Sequence, residues 1–217
     1  MAASEPSDFF LFVLGGVNGA GKSSVLGPAV LRELAFYNPD AVAQRIRQTT
    51  ACSSEQANAA AWQEGRRRLA DSIAKRQSYA FESTLGGSTI TRMLLDAAAQ
   101  SFDIYVWFIG LSSPEQHIER VRARVAAGGH DISDAQIRKR WFSARRNLLA
   151  LMPVVKELIV YDNSAERDPA TGLLPDPRPL LHWSRDDGIV APPLQNLADT
   201  PDWAKPIVAQ ALKLARR

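Results

Sequence analysis

Gly16-Val17-Asn18-Gly19-Ala20-Gly21-Lys22-Ser23 is the stretch that decides the fold of this chain. It fills every fixed position of the pattern G-x-x-x-x-G-K-[ST]. Phe9-Phe10-Leu11-Phe12-Val13-Leu14 before it reads as a buried strand, and Ser24 to Arg32 after it reads as a helix. Between a strand and a helix, such glycines let backbone N–H groups fold around phosphate oxygens, and the helix N-terminus adds partial positive charge. Gly16, Asn18, Gly19, Ala20, Gly21, Lys22, Ser23 and Ser24 are then the cradle of a nucleoside triphosphate. Lys22 reaches its β- and γ-phosphates, and the Ser23 hydroxyl sits on Mg²⁺.

The rest of the chain continues the alternation. Strands are expected at Phe9–Leu14, Leu34–Tyr37, Tyr79–Phe81, Ile104–Leu111 and Leu158–Tyr161, with helical patterns between them. Ser53 or Ser54 opens a helix to about Arg76. Ser113-Pro114 starts another, and Ser133-Asp134-Ala135-Gln136 has the form of a capping box. This predicts an α/β fold: a P-loop NTPase core with a five-stranded, mostly parallel sheet flanked by helices. Eight of the 13 prolines fall between Pro169 and Pro206, which marks a change of composition after Ser164. The expectation is one domain over 1–217, with a core at about 9–164 and a Pro-rich C-terminal elaboration at about 165–217. That elaboration carries a hairpin turning at Asp187-Gly188 and a last helix beginning at Asp202-Trp203.

Composition narrows the chemistry. With 46% hydrophobic and 23% charged residues, 217 residues supply an ordinary globular core. A net charge of +3 is too mild to point to nucleic acid. The single cysteine, Cys52, excludes an internal disulfide and a Cys-based zinc cluster, and fits a cytoplasmic setting. The acidic N-terminus is unlike a signal peptide, and no stretch reaches the ~20 apolar residues of a membrane span. Ile104–Leu111 runs into Gly110-Leu111-Ser112 with no metal-binding acid at its end. The ABC signature and the Asn/Thr-Lys-x-Asp guanine reader are both missing. The remaining class is a kinase of a small hydroxyl-bearing molecule.

Such a kinase needs a base, an acceptor grip and mobile arginines. Asp40 in Asn38-Pro39-Asp40 is the candidate base, although the same tripeptide is also an ordinary helix start. Glu82, Ser83 and Thr84, followed by Leu85-Gly86-Gly87, offer a carboxylate and hydroxyls at a strand end to an acceptor. A plain strand–helix turn reads the same way. Arg120, Arg122 and Arg124 precede Gly128-Gly129-His130, while Arg138, Arg140, Arg145 and Arg146 follow it. A helix, a glycine hinge and a second basic helix suit a phosphate-covering lid, and equally a solvated basic face. His130 is read either as a phosphate or substrate contact or as a helix cap. Tyr161-Asp162-Asn163-Ser164 is read as a loop near the adenine or as a turn. Trp62, Trp107 and Trp141 are read as core or interface residues.

These stretches together resemble the zeta-toxin family of P-loop kinases, in particular its stand-alone relatives labelled predicted ABC-type ATPases. The likeness rests on Gly15 to Ser24, Asn38-Pro39-Asp40, Phe81-Glu82-Ser83-Thr84-Leu85 and Arg120-Val121 with Arg124-Val125. It continues through Gly128-Gly129-His130-Asp131, Arg140-Trp141, Asn147-Leu148 and Tyr161-Asp162-Asn163-Ser164. The resemblance implies ATP, Mg²⁺ and phosphorylation of the 3′-hydroxyl of the sugar in UDP-N-acetylglucosamine. It implies Asp40 as base, Glu82 orienting the sugar nucleotide, and Lys22, Arg124 and Arg140 on the γ-phosphate. It also implies a small antitoxin protein as partner. Two alternatives stay open: a different acceptor, including a nucleic-acid 5′-hydroxyl, and an ATP-binding switch or ATPase that transfers nothing.

Overall fold

The computed structural model describes residues 8–23, 36–166, 170, 175–191 and 198–215. Among them, seven strands form one sheet in the order β2-β3-β1-β4-β5-β6-β7. β1 (Phe10–Gly15), β2 (Phe36–Tyr37), β3 (Tyr79–Ser83), β4 (Asp103–Gly110) and β5 (Glu157–Asp162) are mutually parallel. β6 (Arg178–Ser184) and β7 (Gly188–Ala191) add an antiparallel hairpin to the β5 edge. β1 lies centrally between β3 and β4, with Leu11, Val13 and Leu14 fully buried. Apolar residues on both faces of a strand are what a sheet covered by helices on both sides requires.

The helices begin where their caps are. α1 (Pro39–Thr49) follows Asn38, whose Oδ1 accepts the Ala41 N–H at 3.0 Å, and Pro39 stands in its first turn. α2 (Ser54–Ala74) opens with a complete capping box between Ser53 and Gln56. α3 (Ser88–Ala99) leads into β4. α4 (Pro114–Ala126) and α5 (Asp134–Leu151) are capped by Ser113 and Ser133, each accepting a backbone N–H three residues on. Each cap satisfies donors that a helix start would otherwise leave unpaired. The predicted helix Ser24–Arg32 and the start of the predicted strand Leu34–Tyr37 lie outside the described residues.

Two expectations are corrected. The sheet has seven strands, not five, because the predicted hairpin continues the sheet. Leu180, Leu181 and Trp183 bury against the same core as β4 and β5, and Gly188 (φ +75°) follows the turn. The last helix, α6 (Lys205–Leu214), begins three residues later than expected, after a turn over Asp202–Ala204. Its Ile207, Val208 and Ala211 join the main core, together with Trp203. Gly110 at the end of β4 is where that tail docks: a Cβ there would lie 2.5 Å from the Trp203 ring. Trp203 is 3% exposed and donates through Nε1 to Asp162 Oδ1 at 3.3 Å. Among the described residues no helix is long and apolar enough to cross a membrane.

Trp203 therefore wedges the C-terminal ends of β4 and β5. Trp203→Ala should cost about 3–5 kcal/mol of stability, the range for truncating a buried aromatic. Urea unfolding of the two proteins measures it, and a cost below ~1 kcal/mol would show that the tail is not part of the cooperative core.

Candidate active site

The loop Gly16–Ser23 turns at the C-terminal end of β1. Gly16 has φ +146° and Gly19 φ +82°, and a Cβ would come within 2.4 Å of the Ile109 carbonyl oxygen at the first and 2.7 Å of that of His117 at the second. Backbone conformation and packing both demand glycine there. Neighbouring elements hold the loop. Gly16 N–H donates to Ser83 O (3.2 Å), Asn163 Nδ2 donates to Ala20 O (2.8 Å), and His117 Nδ1 donates to Asn18 O (2.8 Å). A carbonyl only accepts, so Nδ1 carries the His117 proton. Burial pushes the His117 pKa down to about 4, which keeps the ring neutral.

The cations gather on this loop. Lys22 is 6% exposed; its Nζ donates to Val17 O (3.3 Å) and lies 3.4 Å from Glu82 Oε1. Arg140 Nη1 donates to Asn18 Oδ1 at 2.8 Å. Burial lowers the Arg140 pKa from its ordinary value, and the Asp40 charge opposes that. Among the described residues Arg140 has no carboxylate within ion-pair distance, which fits a site that takes its anion from a ligand. Ser23 Oγ donates to Glu82 Oε2 (2.7 Å), and Asn38 Nδ2 donates to both oxygens at 3.1 Å. These hard oxygens suit Mg²⁺. No group of three or more His, Cys, Asp or Glu able to hold a metal occurs among the described residues, so phosphate and water would have to complete the shell. Ser24 lies outside the described residues.

Beside the loop a cavity of about 680 Å³ opens, lined among others by Asp40, Trp62, Thr84, His130 and Arg140. Asp40 sits in the first turn of α1, and its Oδ2 lies 3.6 Å from Arg124 Nη1. Arg124 Nη2 donates to His130 O at 2.8 Å, and Asn58 Nδ2 lies 2.7 Å from the His130 ring Nε2. Burial lowers the His130 pKa. The segment after β3 is held from α5: Asn147 Nδ2 donates to Leu85 O (2.6 Å) and Gly87 O (3.1 Å), and Ser143 Oγ donates to Gly86 O (2.7 Å). Ser83 Oγ accepts from Leu85 N–H and Thr84 Oγ1 from Gly86 N–H, leaving both hydroxyl protons free to donate.

Asp40, Ser83, Thr84, His130 and Arg140 thus share one cavity, and Arg124 joins them through Asp40. Arg120 stands apart: its Nη2 donates to Ala165 O at 3.0 Å and it does not line the cavity. Trp62 is not a core residue. It is 45% exposed at the cavity, with the Arg66 guanidinium 6.0 Å from its ring. Seven residues before Leu69, it lies at the edge of the face that Ala57, Ala61 and Leu69 bury, where the cavity opens. Sequence reasoning missed His117 and Asn58, which carry no motif. It saw Asn38 only as a cap, not as a donor to Ser23 and Glu82.

No family model matches the chain. A Haemophilus influenzae protein described only as uncharacterized is 32% identical over 63 residues, 29% of this chain and 45% of that protein. Among solved structures, the AvrRxo1-ORF1:AvrRxo1-ORF2 complex with sulphate ions superposes with a TM-score of 0.65 at 13% identity. The match covers 92% of this chain and 66% of that one. The same pair with ATP gives 0.61 at 13%, covering 83% and 60%. A structure of the PezAT chromosomal toxin-antitoxin system of Streptococcus pneumoniae gives 0.50 at 11%, covering 75% and 69%. The chain shares the fold of these structures. The chain spans less than two thirds of either AvrRxo1-ORF1:AvrRxo1-ORF2 chain and under half of the Haemophilus protein.

His117 is buried against the loop, where its charged form is disfavoured, and that sets a pH dependence. Between about pH 6.5 and 4 the unfolded chain binds a proton at His117 that the folded chain refuses. Stability is full above that window and declines as pH falls through it, by about 3 kcal/mol in total. Urea unfolding at pH 7 and pH 4.5 measures this. The decline should be smaller by about 2 kcal/mol in His117→Asn, the part of the total developed by pH 4.5, and equal declines in both proteins would refute it.

Proposed function

We propose that this chain is an ATP-dependent kinase that phosphorylates a hydroxyl of a small acceptor, a nucleotide-sugar of the UDP-N-acetylglucosamine type. The observation that carries the reading is the position of the Asp40 carboxylate. It lies in the wall of a cavity that a partly buried arginine, Arg140, joins to the phosphate loop through Asn18. A volume of about 680 Å³ is within the range of small-molecule and cofactor sites.

The residues divide the work. The loop N–H groups and Lys22 hold the triphosphate, with Ser23 toward the metal. Magnesium, when bound with ATP, supplies neutralisation of phosphate charge. Asp40 accepts the acceptor's hydroxyl proton as that oxygen bonds to the γ-phosphorus, and the bond from phosphorus to the β,γ-bridging oxygen breaks to release ADP. Arg140 and Arg124 meet the charge spread over the phosphoryl oxygens. Their planar forks suit that task, and Arg140 is already fixed by Asn18. Ser83, Thr84 and His130 offer polar contacts to the acceptor from the cavity wall. The biological setting we carry over from the likeness is that of a cytoplasmic toxin restrained by a small antitoxin protein.

Acceptor-dependent ADP release with ATP and Mg²⁺ tests this against UDP-sugars, nucleosides and 5′-hydroxyl oligonucleotides. Turnover is expected on a UDP-sugar, and Asp40→Asn should lower it by about 10²–10⁴-fold with ATP binding intact. Turnover on oligonucleotides alone would move the acceptor to nucleic acid. Equal ADP release without any acceptor would replace the kinase with an ATPase or switch.

A further inference from the structure

Glu82 borders the cavity, yet both of its carboxylate oxygens face the phosphate loop. Oε1 is 3.4 Å from Lys22 Nζ, Oε2 accepts from Ser23 Oγ at 2.7 Å and from Asn38 Nδ2 at 3.1 Å, and the residue is 8% exposed. β3 runs through Ser83 and pairs with β1 in the register Leu14↔Glu82 and Gly15↔Ser83. Glu82 therefore stands level with the end of the strand that delivers the loop. The end of β4, on the other side of β1, carries no acid. A metal-binding acid in a phosphate-loop protein belongs at the end of a strand beside the loop, and here β3 supplies it.

The charges argue the same way. A triphosphate in the loop brings its β- and γ-oxygens to Lys22 and Ser23. The Glu82 carboxylate, in contact with both residues and nearly excluded from water, would then face further anions where dielectric screening is weak. A single lysine cannot balance a carboxylate and two phosphates. A divalent cation between them does, and it needs the hard oxygens present here. The Ser23 hydroxyl gives its proton to Glu82 and accepts from Asn38 Nδ2, which leaves its oxygen one lone pair for a cation.

We propose that Glu82, together with the Ser23 hydroxyl, holds the magnesium ion that accompanies ATP, and that Glu82 is not a ligand of the acceptor. This rests on the ATP-binding part of the function proposed above. If Glu82 merely neutralised buried Lys22, Glu82→Gln would keep the metal response of wild type, which is the distinguishing measurement.

ATP affinity measured by titration calorimetry in Mg²⁺ and in EDTA, with no acceptor present, tests the assignment. Mn²⁺ binding in the presence of ATP, followed by its electron paramagnetic resonance signal, gives a second readout. Wild type should bind ATP more tightly with Mg²⁺. Glu82→Gln, which keeps an acceptor for Ser23, should bind Mn²⁺ about 10–100-fold more weakly and lose most of the Mg²⁺ enhancement. In EDTA its ATP affinity should be equal to wild type or better. Ser23→Ala leaves the Lys22–Glu82 pair in place and should show the same loss of metal response. Full metal enhancement in Glu82→Gln, or none in wild type that binds ATP, would overturn the assignment and leave the kinase reading standing. Failure of wild type to bind ATP in either buffer would overturn both.

Discussion

A glycine-rich loop has too few side chains to hold its own shape, and its polar backbone must still be paired when buried. The structure depends on how that need is met. The loop's polar groups find partners on the β3 end at Ser83, on the α4 face at His117, past the β5 end at Asn163, and on α5 at Arg140. Each partner comes from a different stretch of chain, so the loop forms only when sheet and helices are already in register. The packing of Gly16 against the Ile109 carbonyl and Gly19 against that of His117 makes the same demand sterically. The shape of the loop is a product of the tertiary fold more than of its own eight residues.

The electrostatics follow from the same closeness. Lys22 and Arg140 are both largely buried, and both approach the loop from within the protein. Buried cations without full carboxylate partners are costly unless a ligand completes them. The site is therefore unsatisfied by construction in a way that favours anions. Lys22 meets Glu82 at 3.4 Å and Arg124, at the more open rim, meets Asp40 at 3.6 Å, whereas Arg140 meets no carboxylate among the described residues.

Much of this was legible in the sequence for definite reasons. The phosphate loop was readable because its glycines are required by backbone geometry within eight consecutive residues. Helix starts at Asn38, Ser53, Ser113 and Ser133 were readable because a cap is a local bond. What depended on distant contacts was not. Nothing local reveals that Arg178–Ala191 extends the main sheet, because an edge accepts a strand from anywhere in the chain. Nothing local marks His117, whose partner is 99 residues away. Trp62 reads as core or interface, and only its exposure at the cavity shows that it is not core. For a strand-end acid, the reading looked only to the end of β4. That β3 also adjoins β1 is a fact of strand order, which hydropathy does not reveal.

Asn38 carries one more consequence. Its oxygen caps the helix that bears Asp40, while its nitrogen bridges Ser23 and Glu82. A single short amide thus ties the Asp40 side of the cavity to the phosphate-loop side. Among the side chains, very few can donate and accept at that reach at once: aspartate keeps the cap but turns an acceptor toward another carboxylate, and glutamine overshoots the helix start. The two halves of the site are spelled by one letter, so the chemical alphabet leaves them little room to drift apart.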